Sequence, residues 1–273
     1  MPKTNPTLKE LVDLANKQIG AETLMLPELL KEMSDKEIES ISPGLKELDS
    51  ALGVGGLPKG RIVEIMGQEA SGKTTLVLHT IAEAQKKGIQ CAYIDVEHAL
   101  DLDRATKIGV NFDKLLFSQP KTAEQALQLV EFLVRSKEVG LVVLDSVAAL
   151  VPRAEIEGDF SDANMGAMAR LMGKIMRLIT GPASKNNVLV VFVNQIRAKM
   201  GGFPGFGPQE TTAGGNALKF YATVRIDMRK TGSSKTKEFY TTHKISIKKN
   251  KVAPPMRVVL CKINESGFAG AIE

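Results

Sequence analysis

Apolar residues Leu8, Leu11, Val12, Leu14, Ala15 and Ile19 recur near helical spacing between Thr7 and Ile19, which predicts an amphipathic helix whose apolar stripe needs a surface to dock on. A polar stretch, KEMSDKEIES, separates it from ISPGLKELDSALGVGGLPKG, where proline and glycine punctuate turns around one short helical piece. The chain is thereby expected to divide into an N-terminal helical arm over residues 1–37 and a core over residues 38–273. Inside the core the pattern reads as a strand over 61–66 (RIVEIM), a glycine loop, a helix to about Lys87 stopped at Gly88, and a strand over 91–96 (CAYIDV). That is a βαβ unit. Apolar runs LVVLD (141–145) and VLVVFVNQ (188–195) alternate with helices near 123–136 and 165–180, the first opened by a capping box of Thr122 and Gln125. Unbroken apolar strands between helices are what a parallel sheet covered on both faces requires. Beyond Gly215 the character changes: ATVRIDMRK, HKISIKKNK and RVVLCKI alternate with period two and have no helix between them. The expected fold class is α/β, a mostly parallel central sheet extended by C-terminal antiparallel strands and preceded by the helical arm.

Composition narrows the function classes without choosing among them. Hydrophobic residues fill 43% of the 273 positions and charged residues 25%, ordinary values for a globular protein, and no run approaches the ~20 apolar residues of a membrane span. The opening MPKTNPTLKELVDLANKQIG has no apolar run behind its basic residue, so it lacks the layout of a secretory signal and points to the cytoplasm. Cys91 and Cys261 sit within apolar strand-like runs and read as buried thiols of a reducing compartment, not as a disulfide framework. A formal net charge of +5 permits nucleic-acid binding but is too small to specify it. His79, His98 and His243 are far apart and belong to no Cys/His cluster, so no structural zinc is expected.

Candidate chemistry concentrates in one loop. Gly67, Gln68, Glu69, Ala70, Ser71, Gly72, Lys73 and Thr74 match G-x-x-x-x-G-K-T and fall between a predicted strand and a predicted helix, the context the motif's mechanics require. Glycines let backbone N–H groups turn toward phosphate oxygens, and the helix N-terminus adds partial positive charge. Lys73 is placed to reach the β and γ phosphates of ATP, and the Thr74 hydroxyl to ligate Mg²⁺. Asp145 ends LVVLD, where a carboxylate at the tip of a buried parallel strand holds the metal or its waters; it also fits an N-cap for the residues after Ser146. Glu97 follows CAYIDV and is either the group that orients the attacking water or a surface carboxylate, which spacing cannot separate.

On the helix from Met165, residues Met165, Met168, Met172 and Met176 form one stripe with Ile179 nearby, while Arg170, Lys174 and Arg177 lie roughly opposite. The methionines read as core packing, with Met165 the one to watch, and the basic stripe fits either a nucleic-acid contact or a solvated face. The segment 197–215 is too rich in glycine and proline for regular structure. Arg197 and Lys199 at its start and Gly214 and Gly215 at its end suit phosphate contacts; a merely flexible surface loop is the alternative.

Taken in order between about Ile41 and Ala253, the segments LPKGRIVEIMG, EASGKTTL, AYIDVEHALD, LLFSQP, VVLDSVAALVPRAEIEG, NQIR, TTAGGNALKFYA and KNK resemble the signature blocks of the bacterial and phage RecA recombinases. The resemblance implies a RecA-type ATPase core that hydrolyses ATP with Mg²⁺, forms helical filaments on single-stranded DNA and pairs it with homologous double-stranded DNA in recombination and repair. It assigns Glu97 to activating water, with Lys73, Thr74, Thr75 and Asp145 around the phosphates and metal, and Gln195 to sensing the γ-phosphate. Lys249 and Lys251 would reach the neighbouring subunit's ATP; by themselves they also read as two lysines on one face of a strand. Residues 157–164 and 197–212 resemble the family's two DNA-binding loops. Met165, Arg170, Gly173, Arg177, Arg197, Met200, Gly214 and Gly215 match positions that touch single-stranded DNA, largely at its backbone, which leaves the bases free to test a complement. Phe220 matches an interface aromatic, with core packing of its strand as the alternative, and the N-terminal helix resembles an arm that docks on the adjacent subunit.

Three departures stand out. Arg104, near Asp101, occupies the place where the family usually stacks a tyrosine on adenine, and its planar guanidinium is a possible substitute. The second loop has an altered Gly/Pro arrangement, and the separate C-terminal domain of cellular relatives is expected to be absent. Two other classes share parts of the pattern. A P-loop small-molecule kinase needs an acceptor pocket and an arginine-bearing lid, neither of which is legible, and a non-hydrolysing DNA-coating filament is disfavoured by Glu97, Asp145 and Lys73 together.

Overall fold

The computed structural model describes residues 7–20, 24–28, 37–158, 166–198, 210–234 and 239–272. The chain divides into two compact units, Met1–Ile38 and Glu39–Glu273. In the first, helix α1 (Leu8–Ile19) opens with a reciprocal capping box: the Thr7 hydroxyl accepts from the Glu10 N–H at 3.3 Å, and the Glu10 carboxylate accepts from the Thr7 N–H at 2.8 Å. Its apolar residues Leu8, Leu14 and Ile19 are more than half exposed.

The second unit begins with a small antiparallel pair, β1 (Ser40–Ile41) and β2 (Leu57–Pro58), separated in sequence by helix α2 (Lys46–Leu52). Its main sheet contains β3 (Ile62–Gly67), β4 (Cys91–Asp95), β5 (Leu115–Ser118), β6 (Leu141–Asp145), β7 (Leu189–Ala198), β8 (Glu210–Thr212), β9 (Val224–Ser233), β10 (Thr241–Asn250), β11 (Val258–Asn264) and β12 (Gly267–Ala271). The order is β12-β11-β10-β9-β3-β7-β6-β4-β5, with β8 paired on β7. From β9 to β5 the neighbours run parallel; from β9 to β12 they run antiparallel. The helices are α3 (Lys73–Lys86), α4 (Leu102–Ile108), α5 (Ala123–Ser136), α6 (Arg153–Glu157), α7 (Ala167–Lys185) and α8 (Ala217–Tyr221).

Period-two alternation sends successive strand residues into two cores. Val63, Ile65, Val191 and Val193 pack with residues of α2, α3 and α4, whereas Ile62, Val190 and Phe192 pack with α5, α7 and α8. Each such side chain, removed from water, contributes about 1.5–3 kcal/mol. Both faces of β3, β4, β6 and the first half of β7 are covered, which is why these strands read as continuous apolar runs, whereas edge strand β5 leaves Leu116 and Phe117 exposed. Cys91 and Cys261 are buried free thiols, and burial pushes each up to about 12.

Four details differ from the sequence pattern. Strand β9, expected to be antiparallel, pairs parallel with β3 and antiparallel only with β10. The short α8 precedes it where no helix was expected, because Leu218 and Ala222 are drawn into the core beside α7. At α5 the Thr122 hydroxyl accepts from the Gln125 N–H at 3.2 Å, but the Gln125 side chain takes the Lys121 N–H at 3.0 Å, so the box closes one residue early. Finally, both ends of the Gly/Pro-rich segment are strands: Arg197 on β7 pairs with Thr211 on β8, and the returning chain satisfies backbone groups that β7 would otherwise leave open. Among the described residues no helix is long and apolar enough to cross a membrane.

Candidate functional site

The C-terminal ends of β3, β4, β6 and β7 lie side by side, and the loops leaving such strand tips are where open α/β sheets bind ligands. Residues 67–72 turn from β3 into α3. A Cβ on Gly67 would sit 2.3 Å from the Met228 carbonyl oxygen, so only glycine lets the loop approach β9 this closely. The Ser71 carbonyl accepts from His243 Nδ1 at 2.9 Å; a carbonyl can only accept, so that nitrogen carries the proton. That bond ties the loop to β10, where His243 Nε2 lies 2.7 Å from the Thr241 hydroxyl of the same strand.

Lys73 is buried and donates to the Gln68 carbonyl at 2.7 Å. Burial lowers its pKa, against the pull of Asp145, Glu97 and Glu69. Asp145 Oδ2 accepts from the Thr74 hydroxyl and from the Tyr93 phenol, both at 2.9 Å. Burial nevertheless pushes Asp145 up to about 6, the Tyr93 and Thr74 hydrogen bonds opposing it. Burial also raises Tyr93, which therefore remains a donor. The N-cap reading of Asp145 is excluded, because Ser146 holds the cap position of the following turn, where no side chain makes a capping hydrogen bond. The Ser146 hydroxyl donates instead to Glu97 Oε1, as does Gln195 Nε2 at 2.9 Å. Glu97 is exposed, and these two donors hold its carboxylate at the strand tips.

Lys73, Thr74, Glu97, Asp145 and Gln195 line a cavity of about 530 Å³ that also includes Asp101, Arg104, Lys230, Thr241 and Asn264. Asp101 caps α4, accepting from the Arg104 N–H at 2.9 Å. The Arg104 guanidinium donates to the Thr75 hydroxyl at 3.1 Å and the Asn264 carbonyl at 3.4 Å, while its Nε is buried without a partner. A glycine-bounded loop at a helix N-terminus, a buried lysine, an unpartnered buried Ser71 hydroxyl, and a threonine hydroxyl bonded to a carboxylate make a hard-oxygen, phosphate-sized donor set. That set fits a nucleoside triphosphate with Mg²⁺.

Lys249 and Lys251 do not line this cavity. Lys249 Nζ donates to the carbonyls of Lys219 at 3.0 Å and Phe220 at 2.9 Å, and Lys251 borders a separate cavity of about 450 Å³ with Arg61, Phe220 and Tyr221. β10 ends at Asn250, so the two lysines are not a pair within one strand. Phe220 is 68% exposed on α8, which overturns core packing in a strand.

On α7, Met172 and Met176 are fully buried and Met168 packs against the same core, while Arg170, Lys174 and Arg177 are exposed and make no ion pair among the described residues. Gly173 lies on the same helix, and Arg197 is exposed on β7. Gly214 and Gly215 have φ of +81° and +76°, and a Cβ on either would fall 2.8 Å from Val147 or Ala169. Their glycine identity thus has a packing cause besides any ligand. Met165 and Met200 lie outside the described residues, as do 159–164 and 199–209.

Sequence reasoning missed Tyr93, Ser146 and His243. The first two stand within two residues of Asp95 and one of Asp145 and carried that signal; His243, about 170 positions from Ser71, carried none. It also passed over Glu64, a carboxylate inside the apolar run RIVEIM and fully buried in the structure.

A phosphate-binding loop between strand and helix, with carboxylates at the neighbouring strand tips of a parallel sheet, defines a P-loop nucleotide-binding protein. The family model for the RecA N-terminal domain matches residues 6–268, and the chain belongs to the RecA family. It is 58% identical over 225 residues to Protein RecA of Cereibacter sphaeroides, covering 82% of this chain and 65% of that protein. Protein RecA of Rhodospirillum rubrum is 58% identical over 225 residues (82% and 61%), and that of Wolbachia from Culex pipiens 58% over 230 residues (84% and 64%). The chain therefore spans under two thirds of the length of these relatives.

Proposed function

We propose that the protein is an ATP-dependent recombinase that binds ATP with Mg²⁺, assembles as a helical filament on single-stranded DNA and pairs it with a homologous duplex in cytoplasmic recombination and repair. Strand β7 carries this reading. Gln195 reaches Glu97 in the phosphate cavity, and two residues further Arg197 is exposed beside the segment that returns through β8 to Gly214 and Gly215. One strand thus spans both the hydrolytic site and the polynucleotide-facing loop.

In this reading the N–H groups of the loop from Gly67 to Thr75 and the Lys73 ammonium hold the phosphates, and Thr74 and Asp145 hold the metal. Bound Mg²⁺ neutralises phosphate charge and fixes phosphate geometry. Glu97 takes the proton of the attacking water. Its Oε1 is already engaged by Ser146 and Gln195, which leaves Oε2 for that proton. When Gln195 turns to the γ-phosphate, its grip on Glu97 loosens and β7 transmits the change toward Arg197. Arg170, Gly173, Arg177, Arg197, Gly214 and Gly215 contact the DNA backbone. Lys249 and Lys251, outside their own chain's cavity, serve the ATP of a neighbouring subunit, and the arm over residues 1–37 joins successive subunits through a heterologous contact.

Phosphate release is measured with and without single-stranded DNA, and the protein is imaged by electron microscopy with DNA and a slowly hydrolysed ATP analogue. DNA-stimulated hydrolysis and helical filaments are expected. Hydrolysis indifferent to DNA, together with no assembly, would overturn the reading.

A further inference from the structure

Glu64 is a fully buried carboxylate in the middle of β3, the one charged residue of that strand. Its Oε1 accepts from Asn194 Nδ2 at 3.0 Å and its Oε2 pairs with Arg225 Nε at 2.5 Å. Asn194, itself fully buried, has a second engagement: the same Nδ2 donates to the Ala213 carbonyl at 3.1 Å, immediately before Gly214 and Gly215. Its Oδ1 accepts from the Gln195 N–H at 2.9 Å. On the other side, Arg225 is directly opposite Glu64 in the β3–β9 register and opposite Lys249 in the β9–β10 register. A polar row therefore crosses four adjacent strands, Asn194–Glu64–Arg225–Lys249, on the face shared with Ile62 and Phe192. One end bonds Ala213, the residue before the loop glycines, and the N–H of the residue that bonds Glu97; the other ends at a lysine anchored on α8.

A buried ion pair is a weak device for stability, because an apolar pair of equal volume does as well or better. Where such a pair sits between two sites, its value lies in having more than one arrangement. Asn194 gives one amide hydrogen to Glu64, the other to the Ala213 carbonyl and its Oδ1 to the Gln195 N–H, all from one rigid plane: displacing the Ala213 carbonyl turns that plane and changes the hydrogen bond Glu64 receives, and Glu64 then rebalances its hold on Arg225 beside Lys249. Resting on the recombinase reading, we propose that Glu64 is a positioning residue that couples polynucleotide binding at the loop to ATP hydrolysis through Asn194, and carries that state across the sheet to Lys249.

The test compares the full-length parent chain with E64Q, which keeps the shape but cannot pair with Arg225 and serve Asn194 together. Thermal midpoint, ADP affinity, DNA-free hydrolysis, single-stranded DNA affinity and the ratio of DNA-stimulated to DNA-free turnover are measured. The expected result is a stimulation ratio reduced by ~10-fold or more, within the usual span of coupling between sites, with ADP affinity and DNA-free turnover within about threefold of the parent. A destabilised but otherwise structural lesion would lower all rates together and leave the ratio unchanged, and that outcome overturns the proposal. If E64Q does not fold, N194S decides: it leaves the Glu64–Arg225 pair intact and cuts the link to Ala213, so a reduced ratio supports the coupling and a parent-like ratio overturns it. A parent that hydrolyses ATP without responding to DNA overturns the recombinase reading and this proposal together. A responsive parent with an equally responsive E64Q overturns this proposal alone.

Discussion

Under the proposed function, the phosphate cavity and the cationic face of α7 solve opposite problems. In the cavity the three groups nearest the strand tips are each held in place: Lys73 by the Gln68 carbonyl, Asp145 by Thr74 and Tyr93, Glu97 by Ser146 and Gln195. On α7 the side chains of Arg170, Lys174 and Arg177 project from a buried methionine seam and have no ion-pair partner among the described residues. Bond-breaking chemistry needs groups fixed before the reaction, since reorganisation during it is costly. Gripping a polyanion regardless of sequence needs only cations within reach of phosphates, and flexibility there costs little.

The sharpest break of that contrast is Glu97→Gln. Loss of a positioned base should lower turnover by ~10²–10⁴-fold while ADP affinity, measured by calorimetry, stays near the parent's; parent-like turnover would remove Glu97 from the chemistry. Next, replacing Arg170, Lys174 and Arg177 together by alanine should weaken single-stranded DNA binding. The slope of log affinity against log salt should fall by about 0.7 for each phosphate contact removed. Because these are surface groups, the thermal midpoint should move little. An unchanged slope would make the stripe a solvated face.

Asp145→Asn tests the cost of preorganisation. Burial raises this carboxyl above its value in the unfolded chain, so the folded state takes up the proton more readily. The resulting stabilisation is complete below the unfolded pKa and is lost as pH rises through about 6. At pH ~7.5 the ionised group therefore costs up to about 3 kcal/mol. The variant without ligand should melt above the parent at that pH, the gap should close toward pH ~4, and Mg²⁺-dependent nucleotide affinity should be lost. Equal melting at both pH values would refute the buried-charge account. The smallest effect belongs to Tyr93→Phe, which removes one hydrogen bond to Asp145 for about 1 kcal/mol. Since that bond holds the carboxyl down, the acid limb of Mg²⁺-dependent nucleotide binding should shift to higher pH.

Much of the fold and of the phosphate site is legible in the sequence. RIVEIM, CAYID, LVVLD and the run after Val188 announce buried strands by apolar continuity, and Gly67 to Thr74 announce the phosphate loop by spacing. Residues whose role depends on a neighbour distant in sequence stayed hidden. Ser71 and His243 meet only because β10 closes beside the loop, and Glu64 finds Arg225 only because β9 joins β3 in parallel register. The mistaken strand for Phe220 has the same origin, since α8 exists to seat Leu218 against α7, not through any helical pattern of its own.

The sequence alone determined the central strands, the long helices between them and the identity of the phosphate loop, because periodicity and turn chemistry act over a few residues. Tertiary structure decided which carboxylate is held by what, which lysines leave the cavity, and which buried charge meets its partner. Those outcomes depend on strand order and register, which bring together groups separated by up to about 170 positions and set the desolvation that moves their charges.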